Sequence, residues 1–88
     1  MGSAEREARA EAGRRFLEEI GHLGYEGDHA GFAEKVGMTT DEFERIMSGE
    51  KAASKEEFRS LILFLTDMRR PELAAQRYQG LMVSEAHK

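Results

Sequence analysis

The most informative stretch of this chain runs from Phe32 to Gly49 and reads Phe-Ala-Glu-Lys-Val-Gly-Met-Thr-Thr-Asp-Glu-Phe-Glu-Arg-Ile-Met-Ser-Gly. Gly37 can adopt the left-handed conformation that ends a helix at little cost. Thr39 and Glu42 then have the spacing of a capping box, which starts the next helix. The small side chain of Ala33 lets this second helix cross close to the first. Apolar residues after the turn lock the pair together: Met38, Phe43 and Ile46. The stretch therefore predicts two short helices joined by a glycine turn.

Similar start and stop signals surround this pair. Asp28 is suited to cap the first helix of the pair, Ser54 and Glu57 repeat the capping-box spacing, and Pro71 is suited to the first position of a helix. No alternation typical of strands occurs. Five helices are therefore predicted, with approximate limits Ala4–Leu23, His29–Val36, Thr39 to Gly49, Lys55–Asp67, and a last helix beginning at Pro71.

The quoted stretch resembles the lambda-repressor-like helix-turn-helix family, which includes phage repressors and Cro-type proteins. The resemblance extends from Asp28 to Leu65 and includes the closing Gly49 and the capped helix from Ser54. It implies an all-α, five-helix lambda-repressor-like helix-turn-helix domain. We expect one domain over residues 1–88, with the helix-turn-helix pair at 28–49.

The family resemblance also implies a DNA-binding transcriptional regulator of bacterial or phage type. In this family the second helix of the pair enters the major groove of double-stranded DNA. The corresponding base-reading positions are Thr40, Asp41 and Arg45. Arg45 is suited to a bidentate contact with guanine, Thr40 to a thymine methyl group or a base edge, and Asp41 to accepting from cytosine. The implied phosphate-contacting residues are His29, Ser48, Lys51 and Lys55.

The charge of the chain supports a different function on the same fold. The net charge is −4, whereas a protein that neutralises phosphates is usually basic. Glu42 closes the capping box. Asp41 lies in the first turn of the helix, where the helix dipole stabilises a negative charge, but Glu44 has no such local role. Arg45 can pair with Asp41 four residues earlier instead of contacting a base. The alternative is a protein-interaction module (an antirepressor, antitoxin or phage inhibitor) that does not bind DNA and uses its acidic third helix to address a basic protein surface.

The C-terminal half carries more apolar surface than a core of this length is expected to enclose. Exposed apolar patches commonly mark interfaces between proteins. The sequence therefore predicts a homodimer. The interface would be formed by Leu63, Phe64, Leu73, Tyr78 and Leu81.

Several functional classes lack support in the sequence. There is no cysteine, and none of the three histidines has the spacing of a metal site, so neither metal nor cofactor is expected. Neither a nucleophile elbow nor a glycine-rich phosphate loop is present, so we do not expect an enzyme. The longest uncharged apolar stretch, Leu61–Leu65, is far shorter than the ~20 residues that cross a bilayer. No charged-then-apolar leader opens the chain, so a cytoplasmic location without membrane contact is predicted.

Overall fold

The structure is a computed structural model that describes residues 3–66 and 71–82. Five α-helices follow one another, and the described part of the chain contains no strand. They are α1 (Ser3–Ile20), α2 (His29–Val36), α3 (Thr40–Met47), α4 (Lys55–Thr66) and α5 (Pro71–Tyr78). A π-helical turn, Gly21–Tyr25, follows α1, and a 3-10 turn, Gln79–Met82, follows α5. The predicted all-α class with five helices is therefore confirmed.

Local capping interactions define the limits of α2 and α3. Asp28 Oδ1 accepts the amide of Gly31 at 3.0 Å at the start of α2. Gly37 ends α2 in the left-handed conformation, with φ of 80°. Thr39 Oγ1 accepts the amide of Glu42 at 3.0 Å at the start of α3. Helices of eight residues are marginal in isolation, so these caps determine where each begins while packing keeps it formed.

The core is built around the ring of Phe32 on α2. It lies within 4.9–5.7 Å, between ring centroids, of the rings of Phe16, Tyr25, Phe43 and Phe64. The partners lie on α1, the π-helical turn, α3 and α4, so one side chain joins four elements. Three of the four pairs have the edge-to-face arrangement that aromatic rings favour.

Helix α1 and the C-terminal end of α3 meet backbone to backbone. Gly13 lies directly against Met47, and a Cβ atom at position 13 would lie 2.7 Å from the Met47 carbonyl carbon. Gly49, with φ of 86°, is equally close: a Cβ there would lie 2.6 Å from the carbonyl oxygen of Arg6. The buried Arg9 donates from Nε to the carbonyl of Gly49 at 2.8 Å. The end of α3 is therefore held directly against the backbone of α1, and the Arg9 side chain adds a hydrogen bond to this contact.

The last 3-10 turn closes the core against α1. The Tyr78 ring packs edge to face on Phe16, with centroids 5.2 Å apart, and Leu81 is completely buried. The amide of Ala53, before α4, donates to the carbonyl of Leu81 at 2.9 Å. A Cβ at Gly80 would lie 3.2 Å from a backbone oxygen of α1, so this turn also approaches α1 closely.

These contacts correct the predicted dimer interface. Tyr78 and Leu81 are wrong as interface residues, because both belong to the core of the single chain. Phe64 also packs partly against that core. Leu63 and Leu73 remain exposed, at 52% and 53%. The homodimer itself stays a prediction, now resting on these two side chains.

The structure also bears on the predicted end of α1 and on the predicted absence of a membrane span. The helix was expected to reach about Leu23. Its α-helical part ends at Ile20, and the π-helical turn Gly21–Tyr25 continues it, with non-helical backbone at Gly24, so helical backbone does reach Leu23, which is exposed. Within residues 3–66 and 71–82, no helix has both the length and the apolar character needed to span a bilayer. The cytoplasmic location remains a prediction.

The outer face of helix α3 as a candidate binding site

Helix α3 separates its apolar and polar residues onto opposite sides. Its buried residues are Phe43, Ile46 and Met47. The exposed positions follow a spacing of three and four residues, so they share one side of the helix and its C-terminal end. We call this surface the α3 outer face. It consists of Asp41, Glu44, Arg45 and Ser48.

Two of the predicted base-reading residues, Thr40 and Asp41, lie in the first turn of this helix, and the third, Arg45, lies in its last turn. Thr40 is its first residue and is half-buried. Arg45 Nε lies 3.4 Å from Asp41 Oδ2, and the two side chains are 52% and 77% exposed. This is the local pairing that the sequence left open as an alternative to a base contact. Such an exposed pair contributes only about 0.2–0.5 kcal/mol, so it biases the Arg45 side chain without locking it.

Glu44 has a partner on the neighbouring helix. Its Oε2 accepts from Nδ1 of His29 at 3.2 Å, and His29 is the first residue of α2. The imidazole ring also packs edge to face on Phe43, with centroids 5.7 Å apart. The sequence does not predict this contact, because the two residues are 15 positions apart and only the packing of α2 on α3 joins them. His29, a predicted phosphate contact, is therefore engaged within the chain.

Two more of the predicted phosphate contacts bond within the chain. The hydroxyl of Ser48 donates to the carbonyl of Arg45 at 3.2 Å, at the end of α3. Lys51 Nζ donates to Glu57 Oε2 at 2.9 Å. Lys55 is exposed at the first position of α4. Of the four predicted residues, three thus have intramolecular partners.

The carboxylate of Glu57 is held ionised by its neighbours. Burial alone raises the pKa of Glu57, but the Ser54 amide and hydroxyl and the ammonium of Lys51 outweigh it and hold the pKa below its ordinary value. The Ser54 amide donates to Glu57 Oε1 at 2.9 Å, and Ser54 Oγ accepts the Glu57 amide at 3.1 Å, which completes the predicted capping box. Glu57 therefore both caps α4 and neutralises Lys51.

The segments before and after α3 carry further exposed carboxylates as well as exposed lysines, Lys35 and Lys55. Glu34 on α2 and Glu50 after α3 are both exposed. Acidic residues outnumber basic ones between Asp28 and Arg59. A surface of this composition has a negative potential, which attracts cations and repels phosphates.

A separate groove runs between α1 and α5, with a volume of about 470 Å³. All its lining residues are polar or titratable: Arg15, Glu18, Glu19, His22, Arg77 and Tyr78. Glu19 Oε1 is 3.7 Å from Arg77 Nη1 and accepts the Tyr78 hydroxyl at 3.4 Å. Burial raises the pKa of Tyr78. The groove is thus crossed by bonds that fasten α5 to α1. Across the described residues, no group of three or more potential ligands is placed to hold a metal ion.

Comparison with known proteins identifies no relative. No protein family model, no curated protein and no solved structure matches this chain. The resemblance to the lambda-repressor-like family therefore rests on the residues of the chain itself, and functional inference rests on the geometry of the α3 outer face.

Proposed function

We propose that this chain is a protein-interaction module that binds a basic surface of another protein through the α3 outer face. The observation that carries the proposal is the pairing on that face. Asp41 bonds Arg45, the basic residue of the face, and both Asp41 and Glu44 keep more than half of their side-chain surface exposed. The available charge on the face is therefore negative, and a partner rich in lysine or arginine complements it.

The same charges oppose the binding of nucleic acid. Affinity for DNA grows with the number of phosphates that basic side chains neutralise. Near α3, Arg45 and Lys51 are each bonded to a carboxylate. Two like charges 4 Å apart repel by about 1 kcal/mol in water, the medium that surrounds side chains as exposed as Asp41 and Glu44. A phosphate placed against Asp41 and Glu44 would meet this repulsion twice.

A protein partner does not depend on charge alone. Exposed ion pairs contribute about 0.2–1 kcal/mol each, so the carboxylates supply association rate and orientation more than affinity. Val36 ends α2 and Met38 lies in the turn before α3, and both side chains are partly exposed. These two residues offer apolar surface beside the N-terminus of α3. A partner that covers Val36 and Met38 gains affinity from buried apolar surface. If its cations also contact Asp41 and Glu44, the charges add association rate and orientation.

The test is a selection of displayed random peptides on the immobilised chain. We expect the recovered peptides to be rich in lysine and arginine. The double variant Asp41→Lys, Glu44→Lys should bind them at least tenfold more weakly, a loss of about 1.4 kcal/mol. The matched control is Glu7→Lys, Glu18→Lys, which changes the net charge equally on exposed positions of α1. Recovered peptides without excess positive charge, or equal losses in both double variants, would contradict the proposal.

DNA binding is the second candidate, and one observation favours it. Arg45 is exposed at a position that the family resemblance assigns to base reading. The experiment is a selection of bound fragments from a genomic DNA library. If DNA is the partner, Arg45→Ala should cost about 1–3 kcal/mol at one base position, while Lys51→Ala should weaken all sequences similarly. Under our proposal, no sequence is enriched in that selection.

A further inference from the structure

We infer that His29 is a positioning residue for Glu44, holding its carboxylate in the orientation that meets a cation of the partner. The inference rests on the proposed function and names a second residue of the same site. Its basis is the bond between His29 Nδ1 and Glu44 Oε2 at 3.2 Å, which runs from the first residue of α2 to the exposed side of α3.

The imidazole is itself held in place by packing. It lies edge to face on the completely buried ring of Phe43, at an interplanar angle of 74°. The carboxylate of its chain neighbour Asp28 is used by the amide of Gly31 at 3.0 Å. With the ring fixed and Nδ1 bonded to Glu44, the carboxylate is restrained from outside its own helix.

Asp41 provides the contrast within the same face. Its partner Arg45 lies on the same helix, and both of these side chains are more than half exposed. His29 is 34% exposed and Arg45 is 52% exposed, so the imidazole is the more enclosed anchor of the two. Glu44 is therefore the carboxylate that is ordered before a partner arrives. Ordering one flexible side chain in advance strengthens binding by roughly two- to tenfold.

The test compares two amide replacements at His29, with a lysine-rich peptide from the selection as the probe at pH 8. His29→Asn places its amide nitrogen near the position of Nδ1, so the bond to Glu44 is kept. His29→Gln places its amide nitrogen near the position of Nε2, so the bond is lost. We expect His29→Gln to weaken peptide binding by roughly two- to tenfold and His29→Asn to restore wild-type binding. Thermal unfolding of each variant confirms that the binding is measured on folded protein.

A double-mutant cycle separates this inference from the proposed function. In a Glu44→Gln background, His29→Gln should have no further effect, because the carboxylate that it positions is gone. If the double variant Asp41→Lys, Glu44→Lys leaves peptide binding unchanged, the proposed function and the role of His29 are both overturned. If that double variant weakens binding but Glu44→Gln alone does not, the role of His29 alone is overturned. If Glu44→Gln weakens binding but His29→Gln does not, or the two effects add independently, the role of His29 alone is overturned. Equal losses from His29→Asn and His29→Gln also overturn it.

Discussion

Replacing Gly13 with alanine should destabilise the fold, even though alanine favours helices more than glycine does. Gly13 lies inside α1, directly against the backbone of Met47 at the end of α3. The new methyl group would lie 2.7 Å from the carbonyl carbon and 2.8 Å from Cα of Met47, closer than real Cβ contacts allow. The neighbouring atoms are backbone, so relief requires that α1 and α3 move apart.

The magnitude follows from opposing contributions. Forcing an extra methyl group into a packed contact costs about 1–3 kcal/mol. Moving α1 away also stretches the 2.8 Å bond from Arg9 to Gly49, and a hydrogen bond of a charged donor contributes about 1.5–3 kcal/mol. The gain in helix propensity from glycine to alanine is at most about 1 kcal/mol. We therefore expect a net loss of about 1.5–5 kcal/mol, and each kcal/mol lowers Tm by roughly 4–8 °C in a domain of this size.

Circular dichroism during thermal and urea unfolding measures the effect. The matched control is the pair Arg14→Ala and Arg14→Gly at the next, exposed position of α1, which gives the glycine-to-alanine difference without a steric contact. The close approach of α1 and α3 would be refuted if Gly13→Ala is as stable as the wild type. It would also be refuted if Gly13→Ala gains the same stability that alanine has over glycine at position 14.

Three further outcomes are expected. Ser54→Ala should lower stability by about 1 kcal/mol in urea unfolding because it removes the hydroxyl that caps α4, and a loss below 0.3 kcal/mol would contradict that role. The raised pKa of Tyr78 means that the unfolded chain loses this proton first, so its stabilising effect is present below about pH 10 and lost above it. In Tyr78→Phe, the urea midpoint should therefore depend less on pH between pH 9 and 11 than in the wild type. An equal pH dependence in both proteins would contradict this role of Tyr78. The wild type should sediment as a dimer at micromolar concentration and Leu63→Ser, Leu73→Ser as a monomer, whereas a monomeric wild type would end the dimer prediction.

Local signals in the sequence were sufficient for the helix pair. The predicted limits of α2 are the observed ones, because the cap at Asp28 and the turn at Gly37 act within a few residues. The predicted end of the first helix near Leu23 lies just before Gly24, where φ is 102° and the helical backbone breaks. Apolar spacing does not distinguish α-helical from π-helical hydrogen bonding, so the change of helix type after Ile20 could not be predicted.

Contacts between distant segments could not be predicted in the same way. Tyr78 and Leu81 looked like surplus apolar surface because the sequence does not say that the last turn packs back on α1. At the candidate site, the bond of Arg45 to Asp41 was foreseeable from a spacing of four residues. The bond of His29 to Glu44 was not, because it depends on how α2 and α3 are rotated against each other.

The closing turn has a consequence for how this chain folds during synthesis. Helix α1 leaves the ribosome first, yet it packs most extensively against the turn Gln79–Met82 and against α3. Until Tyr78 and Leu81 emerge, the ring of Phe16 lacks its aromatic partner on α5 and the amide of Ala53 lacks its acceptor. Contacts between such distant segments form after contacts within one helix pair, because the intervening chain must first be closed into a loop. The core is complete only when the turn Gln79–Met82 has packed on α1.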